Sequence, residues 1–302
     1  MTLWNQVDSN KRKSAILIFF FVMVVIALGW LISYVYNSPI ILIIAVAIAL
    51  IQALVSYYSG DKIVLSTTGA QMIEKKDNPM LWNVVENLAI TAGLPMPKLY
   101  IIPDPAPNAF ATGRDPNHAS IAVTSGLLER LDKNELQGVI AHEMSHVGNF
   151  DIRLATIVVV LVGVIAVVSD FFIRSRIFGF GRRDSRDGNG NQIMIIIAIV
   201  AAILAPIVAT IVQLAISRKR EFLADADGAL LTRYPDGLAS ALAKISQYKK
   251  PMEHISTATS HLYIANPLGG EAEPEKQSFF TKIFSTHPPI AERIKILQQM
   301  DI

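Results

Sequence analysis

Asp, Glu, Lys and Arg are missing from four apolar stretches of the 302-residue chain, at 14–36, 40–57, 154–169 and 193–216. The first, second and fourth approach or exceed the roughly 20 residues that a bilayer-spanning helix needs. The third has 16 residues and reaches only about 24 Å at 1.5 Å per residue, so it reads as a short span or a re-entrant segment. Between these runs the pattern is that of a folded domain with a polar surface. Residues 78–93 carry helical periodicity and stop at Gly93, and Pro95 and Pro97 precede a strand-like 98–103. The β-prone runs 109–112 and 120–123 flank GRDPNHA, whose Gly, Asp, Pro and Asn favour a turn, so a small sheet is expected. Asp132 and Glu135 form a capping-box start for a helix carrying Leu136, Val139 and Ile140 at helical spacing. Residues 217–234 are expected to continue the fourth apolar run as a polar helix, followed by helices over 237–250 and 291–300. The stretches 179–191 and 266–277, rich in Gly, Asn, Pro and charge, read as exposed loops.

Composition strengthens the membrane reading, because 52% hydrophobic residues is too many for an ordinary soluble domain. The first run is not a cleavable leader: its apolar core exceeds the usual 7 to 15 residues or so, and no small-residue cleavage site follows it. Lys11, Arg12 and Lys13 precede it and the 37–39 link is uncharged. The positive-inside rule therefore places the N-terminus in the cytoplasm, makes the first two runs a hairpin and returns the chain to the cytoplasm from Asp61. The Arg-rich loop 179–191 runs against that rule if the third and fourth runs both cross, which leaves the topology of that pair open. Net charge is +2 with both signs interspersed, so no basic face for nucleic acid is expected. The absence of cysteine excludes disulfides and thiolate metal sites.

The chemistry lies in VIAHEMSHVGN, residues 139–149, where His142 and His146 stand four apart with Glu143 directly after the first. Side chains at i and i+4 of a helix share a face about 6 Å apart, so both imidazoles can reach one ion. Glu143 is turned by about 100° from His142 and can reach a water at that ion without binding the ion itself. Metal-assisted peptide hydrolysis needs that division. The ion lowers the pKa of water from about 15.7 to roughly 7 and polarises the carbonyl, while a carboxylate takes the proton and later passes it to the leaving amine. A chance HExxH in a chain with 6 His is expected less than about once in a hundred such chains. The plainer alternative is two surface histidines on a soluble helix.

Catalytic zinc takes three protein ligands. Cysteine is excluded by count, and the remaining histidines are His118, His254, His261 and His287. In EFLAD, Glu221 and Asp225 share a helix face, so one could hold the metal while the other orients a histidine. On spacing alone, a solvated Glu221 beside Arg218, Lys219 and Arg220 is an equally good reading. His142 and Glu221 can meet only on one side of the membrane, which the two intervening runs allow by crossing twice or not at all. Glu221 lies about 7 Å of helix past the fourth run and His146 about 12 Å before the third, which puts the site just above the cytoplasmic membrane surface.

Taken in order, GLPMPKLYI, PNAFATG, VTSGLLERL, ELQGVIAHEMSHVGNFD, SRKREFLADADGA and STHPPIAERI, from about Gly93 to Ile294, resemble the HtpX-like membrane zinc metalloproteases, relatives of the CAAX prenyl endopeptidases. The resemblance implies one Zn2+ held by His142, His146 and Glu221, Glu143 as general base, and Asp225 behind the ligands. It also implies that Asn108, Ala109, Phe110, Ala111 and Thr112 form a sheet edge that holds an extended substrate by main-chain hydrogen bonds. His287 becomes a candidate donor to the developing oxyanion, its alternative being a loop histidine that caps the last helix. The expected fold is α+β and mainly helical: a zincin-like domain of gluzincin type with a small sheet, joined to about four transmembrane helices. The expected segments are a transmembrane hairpin at 1–59, the first part of a cytoplasmic protease domain at 60–153, a second membrane pair at 154–216 with a polar loop at 174–192, and the rest of the domain at 217–302. The implied role is that of a multi-pass protein of a prokaryotic inner (plasma) membrane, its active site facing the cytoplasm. Within that bilayer it would cleave misfolded or damaged membrane proteins in quality control under stress. A zinc-stabilised membrane adaptor or chaperone-like binder is the alternative, but a structural zinc closes its fourth position with a protein ligand and has no use for Glu143. A transporter is disfavoured because the motif residues lie outside the apolar runs.

Overall fold

A computed structural model describes residues 3–35, 37–177, 217–253, 258–268 and 288–301. Helices α1 (Leu3–Val35) and α2 (Pro39–Thr67) form a hairpin that turns at Asn37 and restarts with Pro39 in the first helical turn of α2, where its missing N–H costs nothing. The two helices cross closely: a Cβ on Gly29 would lie 2.2 Å from the Ala45 Cβ. Both are long and apolar enough to cross a membrane, and their outer faces expose Phe19, Ile43 and Ile51, as a lipid-facing surface should. The segment boundary expected at 59/60 falls inside α2, which continues past Asp61 until Val64 and Leu65 are buried in the domain.

A mixed four-stranded sheet follows, made of β1 (Gln71–Met72), β2 (Lys98–Ile102), β3 (Ala109–Gly113) and β4 (Ala119–Thr124) in the order β1-β2-β4-β3. β2 and β4 run parallel with Leu99 opposite Ile121, whereas β3 and β4 form an antiparallel hairpin. Gly113 at φ 143° is required in that hairpin, since a Cβ there would meet the His118 carbonyl oxygen at 2.3 Å. Helix α3 (Pro79–Ala92) starts on an Asn78 cap, ends at Gly93 in the left-handed region, and buries Leu81, Val84, Val85 and Leu88 in a core shared with the sheet and the helices that follow it.

Short α4 (Ser125–Arg130) leads to α5 (Lys133–Gly148), which starts with a complete capping box. Asp132 accepts from the Glu135 N–H at 3.0 Å and Glu135 accepts from the Asp132 N–H at 2.8 Å. α5 runs through the middle of the core and packs against α3, β3 and later helices. At Asn149 and Phe150, the latter at φ 60°, the chain bends by 83° into α6 (Asp151–Ile177). The start of the third apolar run is protein interior. Leu154, Val158 and Leu161 of α6 pack against Leu17 and Phe21 of α1 and Val64 of α2. The fourth run, 193–216, and the loop 179–191 lie outside the described residues. Among the described residues two helices pass as spans by length and apolar composition, or three if the bent α5–α6 pair is a broken one.

α7 (Arg218–Thr232) follows, then α8 (Pro235–Gln247) and α9 (Ile290–Gln298); α7 and α8 pack on α5, and α9 packs on α7 and α8. The expectation of one continuous helix through 217 is not met: Ser217 is extended, at φ −140° and ψ 113°, and α7 begins anew at Arg218.

Candidate active site

α5 and α7 cross with almost no spacer between them. Gly228 of α7 is so close to α5 that a Cβ would lie 3.0 Å from the His142 nitrogen. That crossing sets Glu221, two turns earlier on α7, over the two histidines. The His142 and His146 Nε2 atoms are 3.2 Å apart, with Glu221 Oε2 3.8 Å from the first and Oε1 3.6 Å from the second. The ligand atoms of these three residues all lie within 4.8 Å of one another. Four donors around zinc at 2.0–2.1 Å sit about 3.3 Å apart, so this spacing suits a tetrahedral ion.

The other ring nitrogens are already committed. His142 Nδ1 donates to Asp225 Oδ1 at 2.9 Å and His146 Nδ1 donates to Asp151 Oδ2 at 3.0 Å, which assigns the tautomers that turn both Nε2 lone pairs to an ion once it replaces the His146 proton. Asp225 is held in turn by Arg293, whose Nε and Nη2 donate to its two oxygens at 2.8 and 2.7 Å while Nη1 donates to the Ile264 carbonyl at 3.0 Å. Arg293 is 0% exposed and Asp225 1%, so neither charge is stable there without the other.

Burial alone would raise the Asp225 carboxyl, but the Arg293 charge and its hydrogen bonds carry it down to about 2. Burial depresses His142, with the Arg293 charge acting the same way, against the pull of Asp225. His146 goes the other way: burial opposes its charge, yet the Asp151 hydrogen bond and the nearby Glu221 lift it to about 9. Glu143 is pushed up to about 7 by burial, with Glu221 adding repulsion against the His146 charge, Arg293 and a backbone hydrogen bond from Ala111. These shifts share a cause. Glu143, Asp151, Glu221 and Asp225 are four carboxylates facing two guanidiniums, Arg220 and Arg293, an excess of two negative charges. The metal-free protein offsets that excess with protons, and a divalent cation supplies the same charge through the same donors.

The triad and Glu143 line a cleft of about 50 Å³ with Ala111, Asp151, Ile152, Arg220, His261 and Ile264. The cleft is open to solvent on one side and has room for an ion with its water. β3 is an edge strand of the sheet, but of the residues 108–112 only Ala111 lines this cleft. Asn108 donates to the Ala265 carbonyl at 3.0 Å, the Ala109 carbonyl accepts from the Ile264 N–H at 2.9 Å, and Thr112 bonds Thr156 at 2.8 Å. Phe110 packs edge-on against Tyr263, with ring centroids 5.1 Å apart. His287 and His254 lie outside the described residues. Three residues at or behind the site carry no signal in the spacing of HExxH: Asp151, Arg293 and His261. The first two sit inside the motifs HVGNFD and HPPIAERI, which mark them only as part of a longer pattern.

The model of the peptidase family M48 matches residues 75–301. The protease HtpX homologue of Tropheryma whipplei (strain Twist) is 47% identical over 298 residues, covering 99% of this chain and 98% of that protein. The protease HtpX homologue of Caldanaerobacter subterraneus subsp. tengcongensis is 45% identical over 304 residues, covering 100% and 99%. A crystal structure of S. mikatae Ste24p superposes at a TM-score of 0.49 with 19% identity, over 98% of this chain and 66% of that one. The HExxH helix, the three converging donors and the two membrane-type helices thus sit in a chain that matches membrane metalloproteases along its whole length. The chain belongs to peptidase family M48 and is similar from end to end to the HtpX proteases.

Proposed function

We propose that the protein is an integral membrane zinc endopeptidase in which His142, His146 and Glu221 hold one Zn2+ and Glu143 is the general base. The observation that supports this most is the convergence of three ligand atoms within 4.8 Å beside a buried Glu143. Zinc, when bound, activates water for attack and polarises the scissile carbonyl. Glu143 accepts the proton of the attacking water and delivers it to the leaving amine; a carboxyl lifted to about 7 is suited to both halves of that transfer. Asp225 and Asp151 keep the two imidazoles in the orientation and tautomer that ligation needs, and Arg293 keeps Asp225 ionised. The Ala111 main chain at the cleft wall is the part of the β3 edge available to an extended substrate. Segment 258–265, tied to Ala109 through Ile264, must shift for a longer stretch to pair. His287 is proposed as a donor to the oxyanion.

The same proposal includes a zincin-like domain built from 60–153 and 217–302, about four spans including 154–216, and an active site at the cytoplasmic face of a prokaryotic plasma membrane. Its substrates would be misfolded or damaged membrane proteins. Lys11, Arg12 and Lys13, in the polar first turns of α1 before its apolar run, support the orientation. The adaptor reading is less favoured, because it gives no role to a buried Glu143 beside a group of three donors. Glu143→Gln should retain one zinc per chain by metal analysis and lose cleavage of unfolded casein in detergent; retained cleavage would sink the mechanism.

A further inference from the structure

Asn10 ties the membrane helix α1 to the metal site. Asn10 lies in the polar first turns of α1, just before the apolar run, and is 1% exposed although Lys11, Arg12 and Lys13 beside it are exposed. Its amide is inserted into the corner between α5 and α6. Nδ2 donates to the Asn149 carbonyl at 2.9 Å and to Asp151 Oδ1 at 2.7 Å, while Oδ1 accepts from Arg220 Nη1 at 3.4 Å. The same Arg220 nitrogen lies 3.3 Å from Asp151 Oδ1. The second oxygen of Asp151 is the one that takes the His146 Nδ1 proton. Arg220 directly precedes Glu221 on α7. One amide from the membrane helix therefore touches the carboxylate behind one proposed ligand and the side chain next to another.

We infer that Asn10 is a positioning residue for the metal site, and that zinc affinity depends on the amide that α1 inserts into the α5–α6 corner. A buried Asn is retained only where its donors and acceptor are satisfied, and here its partners are the groups that fix His146 and flank Glu221. Asp151 has two oxygens and one rotatable carboxylate plane, so fixing Oδ1 from α1 sets the direction from which Oδ2 holds the imidazole. Lys11, whose Nζ lies 4.6 Å from the Phe150 ring centroid, braces the same corner, whereas Leu17 and Phe21 are buried against α6 two and three turns further along, away from it.

The inference rests on the zinc-site reading and is tested apart from it, on the full chain in detergent with added Zn2+ and Co2+ only. Zinc affinity is measured by competition with a chelating dye, and ligand geometry by the visible absorption of the Co2+-loaded protein. Asn10→Leu should weaken zinc by about 10–100-fold, as loss of a group behind a metal ligand does, and alter the Co2+ spectrum. Asn10→Ser, which can still donate once to Asp151, should recover part of the affinity. Phe21→Ala loosens α1 packing without touching the amide, and should lower thermal stability while leaving affinity within about twofold. The inference is overturned if Asn10→Leu binds zinc with native affinity and spectrum, or if Phe21→Ala weakens zinc as much as either Asn10 variant. Should Asn10→Leu fail to fold, the comparison of Asn10→Ser with Phe21→Ala decides. If the unsubstituted protein binds no zinc, the zinc-site reading itself has failed, which is a different result from native-like binding by Asn10→Leu.

Discussion

Gly228→Ala tests whether the α5–α7 crossing builds the metal site. The new Cβ would stand 3.0 Å from the His142 nitrogen, 3.2 Å from the Ala141 carbonyl carbon and 3.2 Å from the His142 Cα, all backbone atoms that cannot rotate away. Ordinary contact needs roughly 3.4 Å or more, so the helices must part by about 0.4 Å. Overpacking of this kind costs about 1–3 kcal/mol, partly offset by the roughly 0.5–1 kcal/mol that Ala gains over Gly inside a helix. The expected net loss is about 1–2 kcal/mol. The displacement also carries Glu221 away from His142 and His146, beyond the tolerance of about 0.2 Å on ligand distances, so zinc should bind at least about tenfold more weakly, or roughly 1.4 kcal/mol. Thermal unfolding without metal reads the first quantity and chelator competition reads the second. Gly163→Ala in α6 is the matched control, because nothing lies within 4 Å of its Cβ. If Gly228→Ala and Gly163→Ala behave alike in both assays, the close crossing does not position Glu221.

Glu221→Ala should lose zinc as well as activity; full occupancy by metal analysis would place the third ligand elsewhere. Arg293→Met should destabilise by about 3–5 kcal/mol because it leaves the Asp225 carboxylate buried without its partner, and the added change Asp225→Leu should recover much of that in thermal unfolding. His146 is raised from 6.5 to about 9 in the folded, metal-free protein, so its protonation stabilises that state fully below about pH 6.5 and the gain is lost as pH climbs through about 9. Zinc must displace that proton, and its apparent affinity should therefore increase with pH across the same window, with proton release detectable by calorimetry in buffers of different ionisation enthalpy. Asp225, lowered from 3.8 to about 2, contributes stability above about pH 3.8 that is lost as pH falls through about 2. Acid unfolding of Asp225→Asn should lack that component.

Local rules made part of this protein legible. The Gly93 stop, the Asp132–Glu135 capping box and the i, i+4 pairing of His142 with His146 depend on residues three or four apart, and the structure forms each of them. The uncharged runs 14–36 and 40–57 likewise announce a hairpin, because a helix in lipid needs only length and apolar side chains. Other features depend on packing between distant elements. The apolar run at 154–169 looks the same whether lipid or protein covers it, and the structure buries its first turns against α1 and α2. Spacing could not separate a ligating Glu221 from a solvated one; the approach of α7 at Gly228 sets it beside the histidines. Nor could spacing show that Ala111 alone of residues 108–112 reaches the cleft, since segment 258–265 returns to cover 108–110 and Thr156 of α6 takes Thr112. Asp151, Arg293 and Asn10 were invisible for the same reason: a charge or an amide finds its buried partner only after the chain has folded. The sequence alone determined which helix carries the chemistry and that two helices suit a membrane. Tertiary packing decided which carboxylates and cations surround that helix, because a buried charge is tolerated only where distant parts of the chain bring it a partner.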